Sequence, residues 1–158
     1  MSAHTIFDNA PIGSIIAWSD GSPQPPARFN KKTAAWRTNN SRGHLIRKQA
    51  ARGVGNISLS ACFTLHEADY GAGGVIAIRV HRTFSLDSRL AFTVVERPVI
   101  GSVRVFDRAG DDAELVYLGA NEDDAREWLT RHGYPRAVLE EVTPDEVGAD
   151  VVEGRTAA

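Results

Sequence analysis

Cationic and aromatic side chains are concentrated between residues 28 and 52, a stretch with eight Lys or Arg and no Asp or Glu. Phe29 and Trp36 lie among these cations, and Trp18 precedes them. Cations bind phosphate groups, and aromatic faces stack on exposed bases. This mixture therefore predicts a contact with nucleic acid. The residues that we assign to it are Arg28, Lys31, Lys32, Trp36, Arg37, Arg42, Arg47 and Lys48.

The same stretch has two other interpretations. Trp18 and Trp36 can be core residues that cover a sheet, with the cations as its solvated face. Alternatively, the cations can bind an acidic protein partner. Residues 1–66 carry 8 basic and 2 acidic side chains, so a polyanion of either kind would be attracted.

Acidic residues dominate the other end of the chain, where residues 107–158 have 14 acidic against 5 basic side chains. Such a segment can mimic phosphates and dock on a nucleic-acid-handling complex, as an inhibitor or adaptor of the anti-CRISPR type acting on a host defence complex. Asp123, Asp124 and Glu127 are the residues that we assign to this docking. The segment can instead fold against the basic stretch, or simply provide solubility.

His66, Glu67 and Asp69 form the densest group of side chains that could bind metal or transfer protons. They resemble half of a zinc-peptidase helix, but the second His is absent and the glycines at 71, 73 and 74 oppose a helix. We therefore predict neither a metal site nor a cofactor. Proton transfer remains open for His66 if a carboxylate is buried beside it.

His81 and Thr83 lie two positions apart in a predicted strand, so their side chains share one face with that of Arg79. A His followed by a hydroxyl two positions later is half of the two-histidine phosphoesterase arrangement. The second half is absent, and we assign no catalytic residue. A phosphodiesterase-like or hydrolytic enzyme that uses His66 or His81 is kept as an alternative.

Most of the chain that must position these residues is predicted to be β-strand. Segments rich in β-branched and aromatic residues alternate with turn residues. Short links at 86–88 and 109–112 indicate antiparallel hairpins, so a meander is expected. The predicted strands are residues 12–18, 44–48, 57–66, 75–84, 90–96, 102–107, 114–118 and 137–142, with 52–55 as a flexible connection and 70–74 as a mobile hairpin loop.

Two helices accompany these strands. Asn30 is expected to cap a short helix that ends near Thr38, and Asn121 to cap a second one. In the second helix Ala125, Trp128 and Leu129 share one face, which is expected to pack on the sheet. The sequence therefore predicts an α+β fold with a mainly antiparallel sheet, a C-terminal helix packed on it and a short N-terminal helix.

The 158 residues are expected to form one domain over 1–142, with its basic part at 1–56, followed by an acidic, flexible tail at 143–158. The single cysteine, Cys62, excludes an internal disulfide. No apolar run reaches the length that spans a bilayer, and the first residues lack the pattern of a secretory signal. A cytoplasmic protein without membrane contact is expected, and its oligomeric state is not indicated.

Several short motifs carry a resemblance to a known group of proteins. They are Ala-Pro-Ile-Gly-Ser at 10–14, Asp-Gly at 20–21, Pro-Pro-Ala-Arg-Phe at 25–29, Ala-Trp at 35–36, Ser-Val-Arg-Val-Phe at 102–106 and Arg-His-Gly-Tyr-Pro at 131–135. In these motifs the chain resembles small uncharacterised proteins of proteobacterial plasmids and integrative elements. The resemblance implies a mobile-element or phage context and brings no activity. With the basic stretch, it leads us to expect a non-enzymatic binding protein.

Overall fold

The computed structural model describes residues 1–146. This part of the chain contains the helices α1 (Ala3–Asn9), α2 (Asn30–Asn39) and α3 (Glu122–Arg131), and its last residues, 144–146, are also helical. Its strands are β1 (Ile15–Ser19), β2 (Ser41–Gln49), β3 (Arg52–Val54), β4 (Ile57–Leu59), β5 (Cys62–Ala72), β6 (Val75–Ser85), β7 (Ala91–Glu96), β8 (Val103–Phe106), β9 (Leu115–Gly119) and β10 (Val138–Glu141).

Antiparallel pairing organises all of these strands. The main sheet has five strands in the order β6-β5-β2-β1-β7, a second sheet has the order β10-β8-β9, and β3 and β4 form a separate hairpin. The predicted α+β class, with an antiparallel sheet and a few short helices, is confirmed. None of the helices in residues 1–146 has the length and apolar character needed to cross a membrane.

The predicted hairpin at residues 86–88 is wrong. β6 and β7 lie at opposite edges of the main sheet, and β7 pairs with β1. Only residues 86–90 connect the two edge strands, so the sheet must curl strongly. Phe84 of β6 and Phe92 of β7 therefore meet in an edge-to-face contact, with ring centroids 5.2 Å apart. The connection joins the two edges of a curled sheet rather than two neighbouring strands.

A core fills the inside of the curled sheet. Trp18, Leu45, Phe63 and Phe92 are buried there together with Ile6 of α1. Helix α1 was not predicted, because it has only seven residues and its cap, Ser2, stands at the second position of the chain. The Ser2 hydroxyl accepts from the backbone N–H of Thr5, as an N-cap should.

The predicted helix α3 packs on a sheet, and that sheet is the second one, which the sequence did not distinguish from the first. Val103 and Val105 of β8 are buried against Ala125, with Trp128 and Leu129 at the margin of the same cluster. The helix approaches β9 so closely at Gly119 that a Cβ there would lie 3.0 Å from the Ala125 nitrogen. The predicted hairpin at 109–112 is confirmed, since β8 pairs with β9.

One apolar cluster and one buried cation join the two sheets. The cluster contains Ile46 of β2 together with Phe106, Ala113 and Leu115. The cation is Arg104, only 2% exposed, which donates from Nε to the carbonyl of Ile12 at 2.7 Å. It also contacts the carboxylates of Glu140 and Glu146.

The predicted tail begins at residue 143, and its first four residues are described. Glu146 accepts from Arg104 Nη2 at 2.5 Å, so this part is tied to the body of the protein. The rest of the predicted tail, 147–158, lies outside the described residues.

The long predicted strand over 57–66 is divided. Gly55, with φ +60°, turns the β3–β4 hairpin, so the predicted flexible connection at 52–55 is largely strand β3. The β5–β6 hairpin continues further than predicted, up to a turn at Gly73 and Gly74. Both glycines have positive φ, which allows the tight turn that twisted antiparallel strands favour.

Candidate functional site

Helix α2 lies outside the protein core, because none of its ten residues is buried. Hydrogen bonds hold it in place instead. The indole Nε1 of Trp18 donates to the Thr38 carbonyl at 3.1 Å, and that of Trp36 donates to the Ser22 carbonyl at 3.0 Å. Trp18 is thus the buried member of this pair, whereas Trp36 stays half-buried on the surface.

Asn40 and Asp20 complete the attachment of α2. The Asn40 amide nitrogen donates to the Trp36 carbonyl at 2.9 Å and to Asp20 at 3.0 Å, and its oxygen accepts from the Ser19 hydroxyl at 2.7 Å. Hydrogen bonds from the Ser22 hydroxyl and backbone N–H, with a further one from Asn40, lower the pKa of Asp20 to about 2. The loop before α2 is therefore fixed by polar contacts.

The helix starts one residue earlier than predicted. Phe29 occupies the N-cap position and supplies no side-chain hydrogen bond, while Asn30 is already helical. Phe29 is 39% exposed, and cations stand over its ring. Arg28 lies 4.8 Å and Lys32 5.0 Å from the ring centroid. An aromatic face flanked by two cations therefore stands at the start of α2.

Of the eight residues that we assign to nucleic-acid contact, five are exposed cations on or beside α2. None of the five forms an ion pair with another residue of 1–146. They are Arg28, Lys31, Lys32, Arg37 and Arg42, and together with Phe29 and Trp36 we call them the α2 surface.

Two predicted residues lie away from the α2 surface, towards the other end of β2. Arg47 donates from Nε to the Asp112 carbonyl at 2.8 Å. Lys48 lines a cavity of about 390 Å³ that also includes Arg104 and Glu140. The residues assigned to nucleic-acid contact are thus divided: most lie on or beside α2, and Arg47 and Lys48 lie towards the far end of β2.

The acidic residues of α3 are largely engaged within their own part of the protein. Glu122 pairs with Arg126 and Glu127 with Arg131, each at 2.6 Å. In the described residues, no ion pair joins α3 to the basic stretch. The internal neutralisation that the sequence left open is therefore not made by this helix.

Asp124 has a structural role at the start of α3. Its carboxylate accepts from the Ala120 N–H at 2.9 Å and from the Tyr117 hydroxyl at 3.1 Å. Burial raises the pKa of Tyr117, and the bond to Asp124 raises it further. Asp123 is exposed, and the docking of Asp123, Asp124 and Glu127 on a protein complex stays a prediction.

Three histidines lie in one row across three adjacent strands of the main sheet. His44 of β2 is the Cα partner of His66 in β5, which is in turn the partner of His81 in β6. Directly paired residues point to the same face of a sheet. The rings of His66 and His81 are 5.7 Å apart and nearly perpendicular, at 88°.

The carboxylate of Asp69 and the guanidinium of Arg79 lie next to this row of histidines. His66 Nε2 lies 2.6 Å from Asp69 Oδ1, and Arg79 Nε lies 3.6 Å from the same oxygen. Glu67 is the extra residue of a bulge and pairs with Arg82 at 2.8 Å, so it does not contact His66. Of the two carboxylates that the sequence offered, only Asp69 is the partner of His66.

His66 and His81 of this row border a cavity of about 260 Å³ between the β5–β6 hairpin and α3. Its opposite wall is aromatic. Trp128 stacks in parallel on Tyr117, with centroids 4.9 Å apart, and on His132, at 4.0 Å. We call this space the histidine cavity. Its polar and aromatic lining consists of His66, Asp69, Arg79 and His81 on one side, Tyr117, Trp128 and His132 on the other, and the carboxylate of Glu114.

Sequence reasoning treated His66 and His81 as separate candidates. Their pairing depends on the register of a hairpin whose turn and bulge lie between them. No local pattern gives that register, although two histidines in consecutive strands are a signal to test for it. In residues 1–146, no group of three or more His, Cys, Asp or Glu side chains is arranged to hold a metal ion.

Comparison with known proteins gives one match. The model of the family described as "Uncharacterised conserved protein UCP036055" matches residues 1–146. The chain belongs to this family. No curated protein and no solved structure matches it. The match covers both sheets and the helices α1, α2 and α3, so the α2 surface and the histidine cavity both lie within the family region.

Proposed function

We propose that this member of the UCP036055 family is a nucleic-acid-binding protein that contacts phosphates through the α2 surface. The observation that carries the proposal is the combination of an unburied helix and unpaired cations. Helix α2 buries none of its residues, and its cations have no carboxylate partner within 1–146.

The energetics of α2 support a role in binding. An isolated helix of ten residues is marginal in water, so its order here depends on its attachments. Those attachments are hydrogen bonds from Trp18, Trp36 and Asn40, which leave the charged side chains in solvent. A helix fixed in this way presents cations at defined positions, which is useful for a phosphate backbone.

The aromatic residues of the α2 surface add a second type of contact. Phe29 is exposed and Trp36 is half-buried, and a base can stack on a ring face that a cation also borders. This combination favours single-stranded or sequence-tolerant binding. Arg47 is left out of the interface, because its Nε is bonded to Asp112.

The context that we propose is a bacterial mobile element or phage. It rests on the motifs at 10–14, 25–29 and 131–135, which resemble proteins of proteobacterial plasmids and integrative elements. A protein that binds nucleic acid fits such cargo.

Fluorescence anisotropy with labelled single-stranded and duplex oligonucleotides tests the proposal, at about 50 and about 200 mM salt. Phosphate-driven binding falls steeply over this range. The variant K31Q/K32Q/R37Q should reduce the slope of log K against log salt by about two to three, since each lost contact removes nearly one unit. The matched control is R52Q/R89Q/R136Q, which removes three exposed cations elsewhere.

Two results would overturn the proposal. One is absence of binding by the wild-type protein at both salt concentrations. The other is an equal loss of binding and slope in the two triple variants, since that would show a general effect of net charge rather than an interface at α2.

A further inference from the structure

The histidine cavity has the parts of a general acid–base site. An ionised carboxylate can only accept hydrogen bonds, so His66 must donate from Nε2 to Asp69 across their 2.6 Å contact. That tautomer leaves the lone pair on His66 Nδ1. An imidazole oriented by a carboxylate on one nitrogen is the usual form of a general base in proteins.

His81 supplies the second imidazole that acid–base chemistry requires. Its ring centroid is 5.7 Å from that of His66, so one phosphate group that lies beside the two rings can contact both. Arg79 borders the same space, and its remaining guanidinium nitrogens can face phosphate oxygens. Base, acid and cation thus stand on two paired strands.

The α2 surface leads towards this cavity. Arg42 precedes His44 by two residues on β2, so both side chains lie on one face of the sheet. His66 is on the adjacent strand, opposite His44. Strand geometry places the Cα atoms of Arg42 and His66 roughly 8 Å apart. A strand of nucleic acid that follows the cations of α2 to Arg42 is about one nucleotide from the histidines.

We propose that the histidine cavity cleaves RNA, using the strand's own 2′-hydroxyl as the nucleophile. His66 Nδ1 takes the proton of the 2′-hydroxyl, and that oxygen forms a bond to phosphorus. The bond from phosphorus to the 5′-oxygen breaks, and protonated His81 gives its proton to that oxygen. The products are a 2′,3′-cyclic phosphate and a 5′-hydroxyl, and exchange with water restores both histidines.

This inference rests on the proposed function only for the delivery of long strands. The chemistry itself requires the cavity alone, so it extends to a dinucleotide too short to reach α2. DNA lacks the nucleophile and is expected to bind without being cut. The substrate class is therefore RNA.

The direct test is cleavage of the dinucleotide uridylyl-adenosine in a buffer that contains EDTA, with the products separated by chromatography. The wild-type protein should release adenosine and a uridine cyclic phosphate. His66→Gln and His81→Gln should each lower the rate by about 100-fold or more, as expected for loss of a general base or acid. His4→Ala, at an exposed histidine of α1, is the matched control and should retain the wild-type rate.

Asp69 acts through His66, so it is a positioning residue with its own test. Asp69→Ala should lower the rate, and Asp69→Asn should restore much of it, since an amide oxygen still accepts from His66 Nε2. The wild-type protein should not cleave a substrate that has deoxyuridine in place of uridine. This test of the 2′-hydroxyl uses no variant, so it stays decisive even where a substitution disturbs folding.

Different results would overturn this inference and the proposed function. Absence of dinucleotide cleavage by the wild-type protein, or equal cleavage by His81→Gln and His4→Ala, overturns the inference. Binding of a 2′-O-methyl strand, which cannot be cleaved, reports the α2 surface alone. If both sites act on one strand, K31Q/K32Q/R37Q should raise KM for a long RNA several-fold; an unchanged KM would separate the two sites.

Discussion

Phe84 and Phe92 lie on the two edge strands of one sheet, yet their rings meet edge to face with centroids 5.2 Å apart. Phe63, on the strand next to the β6 edge, contacts both rings, at 5.7 and 5.3 Å. This aromatic cluster closes the curled sheet at the end where residues 86–90 pass from one edge to the other. Closure at this end also shields the core, which contains Trp18 and Ile6.

Removal of the Phe92 ring should therefore destabilise the whole fold. Phe92 is fully buried, and a Phe→Ala change at such a site costs about 3–5 kcal/mol in the free energy of unfolding. Urea denaturation of Phe92→Ala measures the loss. Phe29→Ala, at an exposed ring, is the control and should change stability by less than about 0.5 kcal/mol. A similar stability for both variants would contradict the closure argument.

The closure also shows what local sequence patterns could not provide. Strand composition predicted most of the strands, and Asn121 with its acidic first turn predicted α3. The short link at 86–88 looked like a hairpin, because hairpins are the usual solution for a link of that length. The whole sheet curls, and this depends on non-local contacts such as Phe84–Phe92. Only that curl brings the two edge strands close enough for so short a link to join them.

The two candidate sites also differ in how far local sequence predicts them. The cations of the α2 surface all lie within residues 28–42, so local composition was enough to identify them. Within residues 1–146 these cations have no carboxylate partner, because the acidic residues of that part pair elsewhere, as Glu122 and Glu127 do within α3. The histidine cavity joins His66 to His81 through strand register and to Trp128 through packing of a second sheet, neither of which is a local property.

The buried Arg104 should make stability depend on pH in the acidic range. Burial acts to raise the pKa of Glu146, but the hydrogen bond and charge of Arg104 outweigh it, so the pKa of Glu146 is lowered. A lowered carboxyl pKa contributes stability that is present above the unfolded value of 4.5 and is lost as pH falls through the folded value. Thermal denaturation of Glu146→Gln should therefore show a weaker loss of stability below pH 4.5 than the wild-type protein.

Arg104 itself should be costly to replace. Arg104→Met leaves the Ile12 carbonyl and two carboxylates without their donor. The carboxylates of Glu140 and Glu146 are partly exposed and can bind water, so the main loss comes from the Ile12 carbonyl, at about 1–3 kcal/mol. Denaturant unfolding gives the value. Arg126→Met removes a guanidinium from an exposed pair and serves as the control, with an expected loss below about 1 kcal/mol. Equal losses would show that Arg104 does not join the two sheets.

His44 should make the stability of the fold depend on pH near neutrality. Burial lowers the pKa of His44, and the neighbouring His66 lowers it further, against an opposing effect of Glu96. The unfolded chain therefore binds a proton at His44 more readily than the folded one. Stability from this group is present above the unfolded value of 6.5 and declines as pH falls through the folded value. His44→Gln should flatten the melting temperature between pH 7 and 5, whereas His4→Ala should leave its slope unchanged.

Asn40 connects the attachment of α2 to binding. Its side chain contacts Ser19, Asp20 and the Trp36 carbonyl, so Asn40→Ala should loosen the helix without opening the core. Amide hydrogen exchange over residues 30–39 should accelerate, since these amides are protected only while the helix is held. Affinity for a 2′-O-methyl RNA strand should fall as the cations lose their fixed positions, while the melting temperature stays within a few degrees of the wild-type value. Faster exchange with unchanged affinity would mean that α2 need not be ordered to bind, and that charge alone carries the contact.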